Sequence, residues 1–229
     1  MPLPRRRSSG RPSGQMTNNV FEAVYAALYA AFGPQHWWPG NSPLEIAVGA
    51  ILTQNTSWAN VEKAIRVLKK HRLLSARALH EITPARLAAF IRSSGYHNIK
   101  AQRLKNFIGF LITEYRGSMR LMAREDAQAI RRKLLSVRGI GPETADSIIL
   151  YALEQPVFVI DAYTKRILSR HGILSQNLSY EECQHMFHTG LTNSVQLFNE
   201  YHALLVRLAK DFCRTAPRCS GCPLEAVWA

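Results

Sequence analysis

The chain has 229 residues, 47% of them hydrophobic, and its 29 Lys plus Arg against 16 Asp plus Glu give a formal net charge of +13. This length can bury a core and form one or two domains. No apolar run approaches the roughly 20 residues that span a bilayer, so the composition excludes a transmembrane protein and favours a soluble one. The positive charge suits a polyanionic partner, although basic proteins also bind membranes or simply stay soluble.

Residues 1–17 are predicted to form a disordered basic arm. Four arginines stand here among Ser, Pro and Gly, before any hydrophobic periodicity begins: Arg5, Arg6, Arg7 and Arg11. The stretch has no apolar core, so it is not a secretory signal, and a short transit peptide stays open.

Residues 18–212 have a helical pattern almost throughout. Ser42, Pro43 and Glu45 form a capping box that begins the second helix. No alternating strand pattern appears, so the predicted fold class is all-α. The predicted helices are 19–32, 43–53, 58–70, 76–81, 84–91, a long helix ending at 115, 125–135, 143–153, 162–169, 180–189 and 195–212.

Two glycines mark the centre of the chain. Gly139 and Gly141, followed by Pro142, predict a tight hairpin that leads into a helix beginning at the proline. The periodic runs 129–135 and 143–153 lie on either side, which makes the unit a helix-hairpin-helix. Backbone amides at such a turn favour a phosphate, and simple turn chemistry is the alternative interpretation.

An aspartate follows the next apolar segment. Residues 156–160 end on Asp161, directly before the helical run 162–169, so Asp161 is placed to cap that helix.

These residues carry a family resemblance. GIGPETA, followed eighteen residues after Glu143 by the aspartate of VIDAYTKRIL, resembles the helix-hairpin-helix signature of the endonuclease III superfamily of base-excision DNA glycosylases. The resemblance extends to ILTQNTSW, SSGYHNIKAQRL and the C-terminal cysteines, and covers about residues 20–225. It implies two helical subdomains around a DNA-binding cleft. One would contain residues 42–155 with the hairpin, and the other residues 18–41 plus 156–212.

The resemblance assigns catalysis to Asp161. Releasing a base builds positive charge on the sugar, and a carboxylate below that carbon stabilises the charge and can orient or deprotonate water. The alternative is that Asp161 serves only as a helix cap. Bifunctional relatives carry a lysine where this chain has Glu143, and that amine attacks the sugar as a Schiff-base nucleophile. A carboxylate cannot form an imine, so we expect a monofunctional enzyme without lyase activity.

Within the superfamily, WWP, LTQNTSW and GIG-x-E-[ST]-AD are most similar to the bacterial 3-methyladenine DNA glycosylase branch. This implies a base pocket formed by Trp37, Trp38, Trp58 and Glu143, although the tryptophans could instead pack on the core. Electron-rich rings and a carboxylate would attract a cationic N3-alkylated purine.

The same resemblance implies a set of DNA contacts. Flipping a nucleotide opens a gap in the duplex. Gln54 would fill the gap and Tyr96 would wedge the opposite strand, unless both are ordinary loop residues. The hairpin glycines Gly139 and Gly141 would approach the DNA backbone, and Lys100, with Lys105, would contact phosphate.

The C-terminal segment 213–229 contains three of the four cysteines, in the pattern Cys213-x5-Cys219-x2-Cys222. Endonuclease III relatives bind a [4Fe-4S] cluster through four cysteines, but Trp228 stands at the last position here. A cluster with another fourth ligand, a weak zinc site and a decayed site are all open. Cys183 is predicted to be a buried thiol. This cysteine usage favours an intracellular chain.

The leading hypothesis is therefore a monomeric, cytoplasmic and nucleoid-associated glycosylase that acts on alkylated purines in double-stranded DNA and binds no membrane. A preference for mismatched thymine or uracil is the second hypothesis, because pocket residues tune the substrate on a shared scaffold. The third is a non-catalytic helix-hairpin-helix DNA-binding protein, against which the complete motif around Asp161 argues.

Overall fold

The computed structural model describes residues 16–37 and 40–227, and in this part of the chain the regular structure is helical without strands. The all-α prediction is confirmed. None of the described helices is long and apolar enough to cross a membrane. The α-helices are α1 (Met16–Phe32), α2 (Pro43–Leu52), α3 (Trp58–Lys70), α4 (Ala76–Glu81), α5 (Pro84–Phe90), α6 (His97–Tyr115), α7 (Met119–Met122), α8 (Ala127–Ser136), α9 (Pro142–Ser147), α10 (Ala162–Arg170), α11 (Tyr180–Gly190) and α12 (Val195–Asp211).

The predicted arm is shorter than expected at its C-terminal end. Met16 and Thr17, which were expected in the arm, already belong to α1. Residues 1–15, the rest of the predicted disordered arm, lie outside the described residues.

Side-chain caps determine where several helices begin. The Ser42 hydroxyl accepts a hydrogen bond from the Glu45 amide at 3.2 Å, which is one half of the predicted capping box, while the Glu45 carboxylate pairs with Lys69 at 2.7 Å. Ser179 and Glu182 form a complete, reciprocal capping box at the start of α11. Because a cap is a local signal, these starting points can be predicted from sequence.

The helix predicted over residues 143–153 is not a single α-helix. α9 ends at Ser147 and continues as a π-helical turn over Ile148–Ala152, where the Leu153 amide donates to the Ile148 carbonyl at 3.1 Å. All five residues of the turn are buried. The turn therefore forms a continuous buried segment of the core, in place of the amphipathic helix that the sequence predicts.

The helices pack in two groups. α6 contacts α4, α5 and α7, and α2 contacts α3, α6 and the π turn. α1 packs on α11 and α12, and α10 packs on α12, while the π turn also contacts α12 and links the groups. The lobe boundaries at residues 42 and 155 stay predictions.

An aromatic cluster fills the core of the second group. The rings of Phe158 and Phe187 stack with centroids 3.7 Å apart, and Phe198 and Tyr201 meet Phe158 edge-on. The Tyr201 hydroxyl donates to the Phe21 carbonyl at 2.9 Å, which ties α12 to α1. This cluster fixes α12 beside the segment that ends at Asp161.

The prediction that Lys100 contacts DNA phosphate is wrong. The residue is 1% exposed, and its Nζ donates to the carbonyls of Leu52 at 2.9 Å and Ser94 at 2.6 Å. Burial, followed by the nearby charge of Arg103, lowers the pKa of Lys100. The Lys100 ammonium therefore hydrogen-bonds to the last residue of α2 and to the turn before α6, and it does not reach solvent.

Lys105 is also used internally. Its Nζ donates to the Leu79 carbonyl at 3.1 Å, to the Ile82 carbonyl at 2.9 Å and to the His80 carbonyl. A cation here satisfies the free carbonyls at the C-terminal end of α4. The contact of Lys105 with phosphate stays a prediction.

Replacing Lys100 by Met should lower the free energy of unfolding by about 1–3 kcal/mol, because two buried carbonyls lose their donor. Lys63→Met, at an exposed position of α3, is the matched control and should leave stability nearly unchanged. Urea unfolding measures both. Weaker DNA binding by Lys100→Met at wild-type stability would restore the phosphate assignment.

Candidate active site

The hairpin at residues 137–141 is braced by α6. Gly139 has φ +96°, and a Cβ atom there would lie 2.4 Å from Cγ of Arg103, so the close approach of the Arg103 side chain requires glycine. The Asn106 side-chain amide donates to the Arg138 carbonyl at 2.9 Å. By contrast, Gly141 has an ordinary φ of −97° and open space around its Cα. The phosphate contact of the hairpin stays a prediction.

Gln54 lies against the same hairpin. Its Nε2 donates to the Thr144 hydroxyl at 2.8 Å and to the Gly139 carbonyl at 3.3 Å, and its Oε1 accepts from Arg103. The structure thus connects α2, α6 and the hairpin through one amide side chain. Its insertion into a DNA gap stays a prediction and would require these bonds to break.

Asp161 caps α10, as the sequence predicts. Its Oδ1 accepts a hydrogen bond from the Thr164 amide at 2.7 Å, and its side chain is 12% exposed. Burial pushes the pKa of Asp161 upward, but His202 and the Thr164 donor outweigh burial, so the pKa is lower than usual. The carboxylate therefore stays ionised at neutral pH although protein surrounds it.

Glu143, in the first turn of α9, shares an electrostatic environment with Asp161. The residue is exposed overall, but partial burial of its carboxyl group raises its pKa. The negative charge of Asp161 raises this pKa further, while His202 opposes the rise. The two carboxyl groups thus have pKa values that are displaced in opposite directions.

Two residues beside Asp161 were missed by the sequence analysis. The Tyr151 hydroxyl lies 2.5 Å from Nδ1 of His202, and Nε2 of His202 lies 3.5 Å from Oδ2 of Asp161. Tyr151 is in the π turn and His202 is on the buried face of α12. In the sequence each is a single polar group in an apolar run, so nothing there distinguishes it from an ordinary core residue.

A cavity of about 630 Å³ lies next to Tyr151. Trp37 and Tyr151 contribute aromatic walls, and Glu154 and Glu200 contribute carboxyl groups. Oε1 of Glu200 accepts a hydrogen bond from the Gln35 amide at 2.6 Å, which orders the loop that carries Trp37. The remaining lining residues are His36, Leu150, Val195, Gln196 and Asn199.

Of the three predicted pocket residues that the structure describes, Trp37 alone lines this cavity. Glu143 lies near Asp161, and Trp38 lies outside the described residues. Trp58 begins α3, its ring is close to Gly49 of α2, and its Nε1 donates to Glu62 at 3.0 Å. These local contacts hold Trp58 between α2 and α3. Its role toward a base stays a prediction.

Tyr96 is prominent on the surface. It is 68% exposed with φ +44°, and Ile99, three residues later, is 54% exposed. An aromatic side chain in a strained, exposed turn suits insertion into a duplex. The wedge role stays a prediction.

The cysteine segment is held by arginines of α10. Arg166 Nε donates to the Cys213 carbonyl at 2.9 Å, and Arg170 donates to the Cys213 sulfur at 3.4 Å. Cys219 is exposed and Cys222 is half-buried, with a thiol pKa that burial raises. No three His, Cys, Asp or Glu side chains of residues 16–37 and 40–227 form a metal-binding group. The described residues therefore do not fit an iron–sulfur cluster, and Cys183 is buried as predicted.

The chain is similar to known DNA repair proteins. The model of the HhH-GPD superfamily base excision DNA repair protein matches residues 48–191. MJ1434 of Methanocaldococcus jannaschii, provisionally named a DNA repair glycosylase, is 44% identical over 85% of this chain and 89% of its own length. Endonuclease III of Sulfolobus acidocaldarius is 31% identical over 63% of this chain and 66% of its own.

Solved structures agree with this relationship. The 3-methyladenine DNA glycosylase MagIII of H. pylori, bound to 1,N6-ethenoadenine, has a TM-score of 0.73 and 28% identity, over 85% of this chain and 97% of that one. A trapped endonuclease III–DNA covalent intermediate has a TM-score of 0.78 at 21% identity, over 92% and 94%, which shows a shared fold. The chain therefore belongs to the HhH-GPD superfamily of base excision DNA repair proteins and is a DNA glycosylase.

Proposed function

We propose that this glycosylase is monofunctional and releases alkylated purines of the 3-methyladenine kind from double-stranded DNA. The observation that carries the proposal is the identity and position of Glu143. It lies within electrostatic reach of Asp161, at the place where the sequence motif of bifunctional relatives has a lysine.

The surroundings of Asp161 favour hydrolysis over imine chemistry. A carboxylate at position 143 has no electron pair on nitrogen with which to attack the sugar. Lys165, the lysine nearest to Asp161 in sequence, directs its Nζ to the Leu178 carbonyl at 2.9 Å. Water is therefore the nucleophile in this proposal, and the product is an intact strand with an abasic site.

Asp161 supplies the electrostatic part of the reaction. When the glycosidic bond breaks, its electron pair leaves with the base and positive charge develops on the sugar. The ionised Asp161 carboxylate stabilises that charge. A water oxygen then bonds to the sugar carbon, and Asp161 can accept the proton that the water releases.

The cavity beside Tyr151 has features that suit a cationic base. Trp37 and Tyr151 contribute aromatic rings to its lining, and Glu154 and Glu200 contribute carboxyl groups. An N3-alkylated purine is cationic in DNA and leaves as a neutral molecule, so it needs no strong general acid. The 28% identical H. pylori relative is a 3-methyladenine glycosylase, which supports the same substrate class.

The substrate is tested by measuring excision side by side from duplexes that contain 3-methyladenine, uracil, a G·T mismatch or an oxidised pyrimidine. We expect 3-methyladenine to be released fastest. Glu154→Gln and Glu200→Gln should each slow that release by about tenfold, because one attractive charge near the cation is lost. Glu22→Gln, at an exposed position of α1, is the control. Faster release of uracil or mismatched thymine would assign the protein to that substrate instead.

Borohydride trapping tests the absence of lyase chemistry. The wild-type protein should give no covalent adduct with an abasic duplex, since no amine faces the sugar at position 143. Glu143→Lys introduces that amine and should yield a trapped adduct, whereas Glu143→Gln should not. Efficient trapping of the wild-type protein would contradict the monofunctional assignment, and peptide mapping would identify the amine responsible.

A further inference from the structure

We propose that His202 is a positioning residue for base release, which receives a hydrogen bond from Tyr151 and passes one to Asp161, so that the catalytic carboxylate stays charged and fixed. The proposal rests on the role of Asp161 in the proposed function and adds the two residues that support it.

The geometry joins three segments that are distant in sequence. Tyr151 comes from the π turn, Asp161 precedes α10, and His202 lies in the middle of α12. The Tyr151 hydroxyl is 2.5 Å from Nδ1, and Nε2 is 3.5 Å from Oδ2 of Asp161. Tyr151 and His202 are both 7% exposed, so water competes little for these contacts.

The direction of the hydrogen bonds follows from the carboxylate. A lone pair on Nε2 would repel the Oδ2 atom of Asp161 that it faces, so the imidazole places a hydrogen on Nε2. Nδ1 can then accept a hydrogen bond from the Tyr151 hydroxyl, which keeps its proton because burial, and then the charge of Asp161, raises the pKa of Tyr151 well above its usual value.

The Nε2 atom of His202 has no hydrogen-bond partner among the described residues, although it is buried. A buried N–H without an acceptor costs about 1–3 kcal/mol in other proteins, so an acceptor is expected nearby. Oδ2 of Asp161 is slightly beyond good hydrogen-bond distance. Catalytic hydrogen bonds often tighten only when substrate binds, and a movement of a few tenths of an ångström would close this one.

Asp161 then has one donor for each oxygen. The Thr164 amide donates to Oδ1, and His202 faces Oδ2. Two fixed donors prevent rotation of the carboxylate and favour its ionised form. The other titratable groups near this site are Glu143 and Tyr151. In both, burial, and then the negative charge of Asp161, raises the pKa.

His202 lowers the pKa of Asp161, so removing the imidazole leaves burial, which raises this pKa, opposed only by the Thr164 donor. Base release requires the ionised form. The acid limb of the rate profile should therefore move to higher pH when His202 is lost.

Single-turnover excision measured against pH tests the proposal. His202→Leu should reduce the rate by about tenfold or more and move the acid limb to higher pH. His202→Gln places an amide N–H near the position of Nε2 and should recover part of both changes. Tyr151→Phe should move the limb in the same direction but less far, because it removes only the group that fixes the tautomer.

Tyr201→Phe is the matched control. Tyr201 is also buried, but its hydroxyl donates to the Phe21 carbonyl. This variant should lose stability as Tyr151→Phe does, yet leave the acid limb in place. A purely structural role for His202 and Tyr151 would instead lower the melting temperature of their variants without moving the limb. If His202→Leu does not fold, the comparison of Tyr151→Phe with Tyr201→Phe decides.

A second readout does not depend on the substrate. The carboxyl carbon of Asp161, assigned by comparison with Asp161→Asn, can be titrated by ¹³C NMR in protein without DNA. We expect its midpoint at higher pH in His202→Leu than in the wild type. Coincident titrations would overturn the proposal. If no tested lesion is released, the proposed function fails while this titration still decides the role of His202.

Discussion

The active site depends on keeping one carboxylate ionised in a place that is largely closed to water. Moving a carboxylate out of water costs several kcal/mol unless hydrogen-bond donors compensate. Around Asp161 the compensation comes from the first turn of α10 and from His202 on α12. The position of α12 is in turn fixed by the aromatic cluster around Phe158, so the core packing and the chemistry of the site are coupled.

The second carboxyl group adds negative charge beside Asp161. Burial, and then the charge of Asp161, raises the pKa of Glu143. The positive charge that develops on the sugar would relieve the repulsion between the two carboxyl groups. Gln54, which Arg103 holds, bonds to Gly139 of the hairpin and to Thr144 of α9, the helix that carries Glu143, so a residue predicted to touch DNA also positions the start of α9.

Local signals made much of this structure predictable. Helix starts at Ser42 and Asp161 follow from their caps, and the glycine motif placed the hairpin. The sequence could not show that Lys100 turns inward, because the carbonyls that bind it become available only when α2 and α6 pack. Likewise, the proposed role of His202 follows from its distances to Tyr151 and Asp161. The hydrophobic pattern of the sequence does not contain these distances.

The most direct test of the account compares two capping aspartates. Asp126 caps α8 by accepting bonds from the amides of Gln128 and Ala129, as Asp161 caps α10. Asp126 is exposed whereas Asp161 is largely buried, so Asp126→Asn controls for loss of a helix cap alone, and the melting temperature of each variant shows whether it stays folded. Single-turnover release of 3-methyladenine should fall by at least about a hundredfold in Asp161→Asn alone, with duplex affinity retained. Near-normal excision by folded Asp161→Asn would contradict the claim that this carboxylate carries the chemistry.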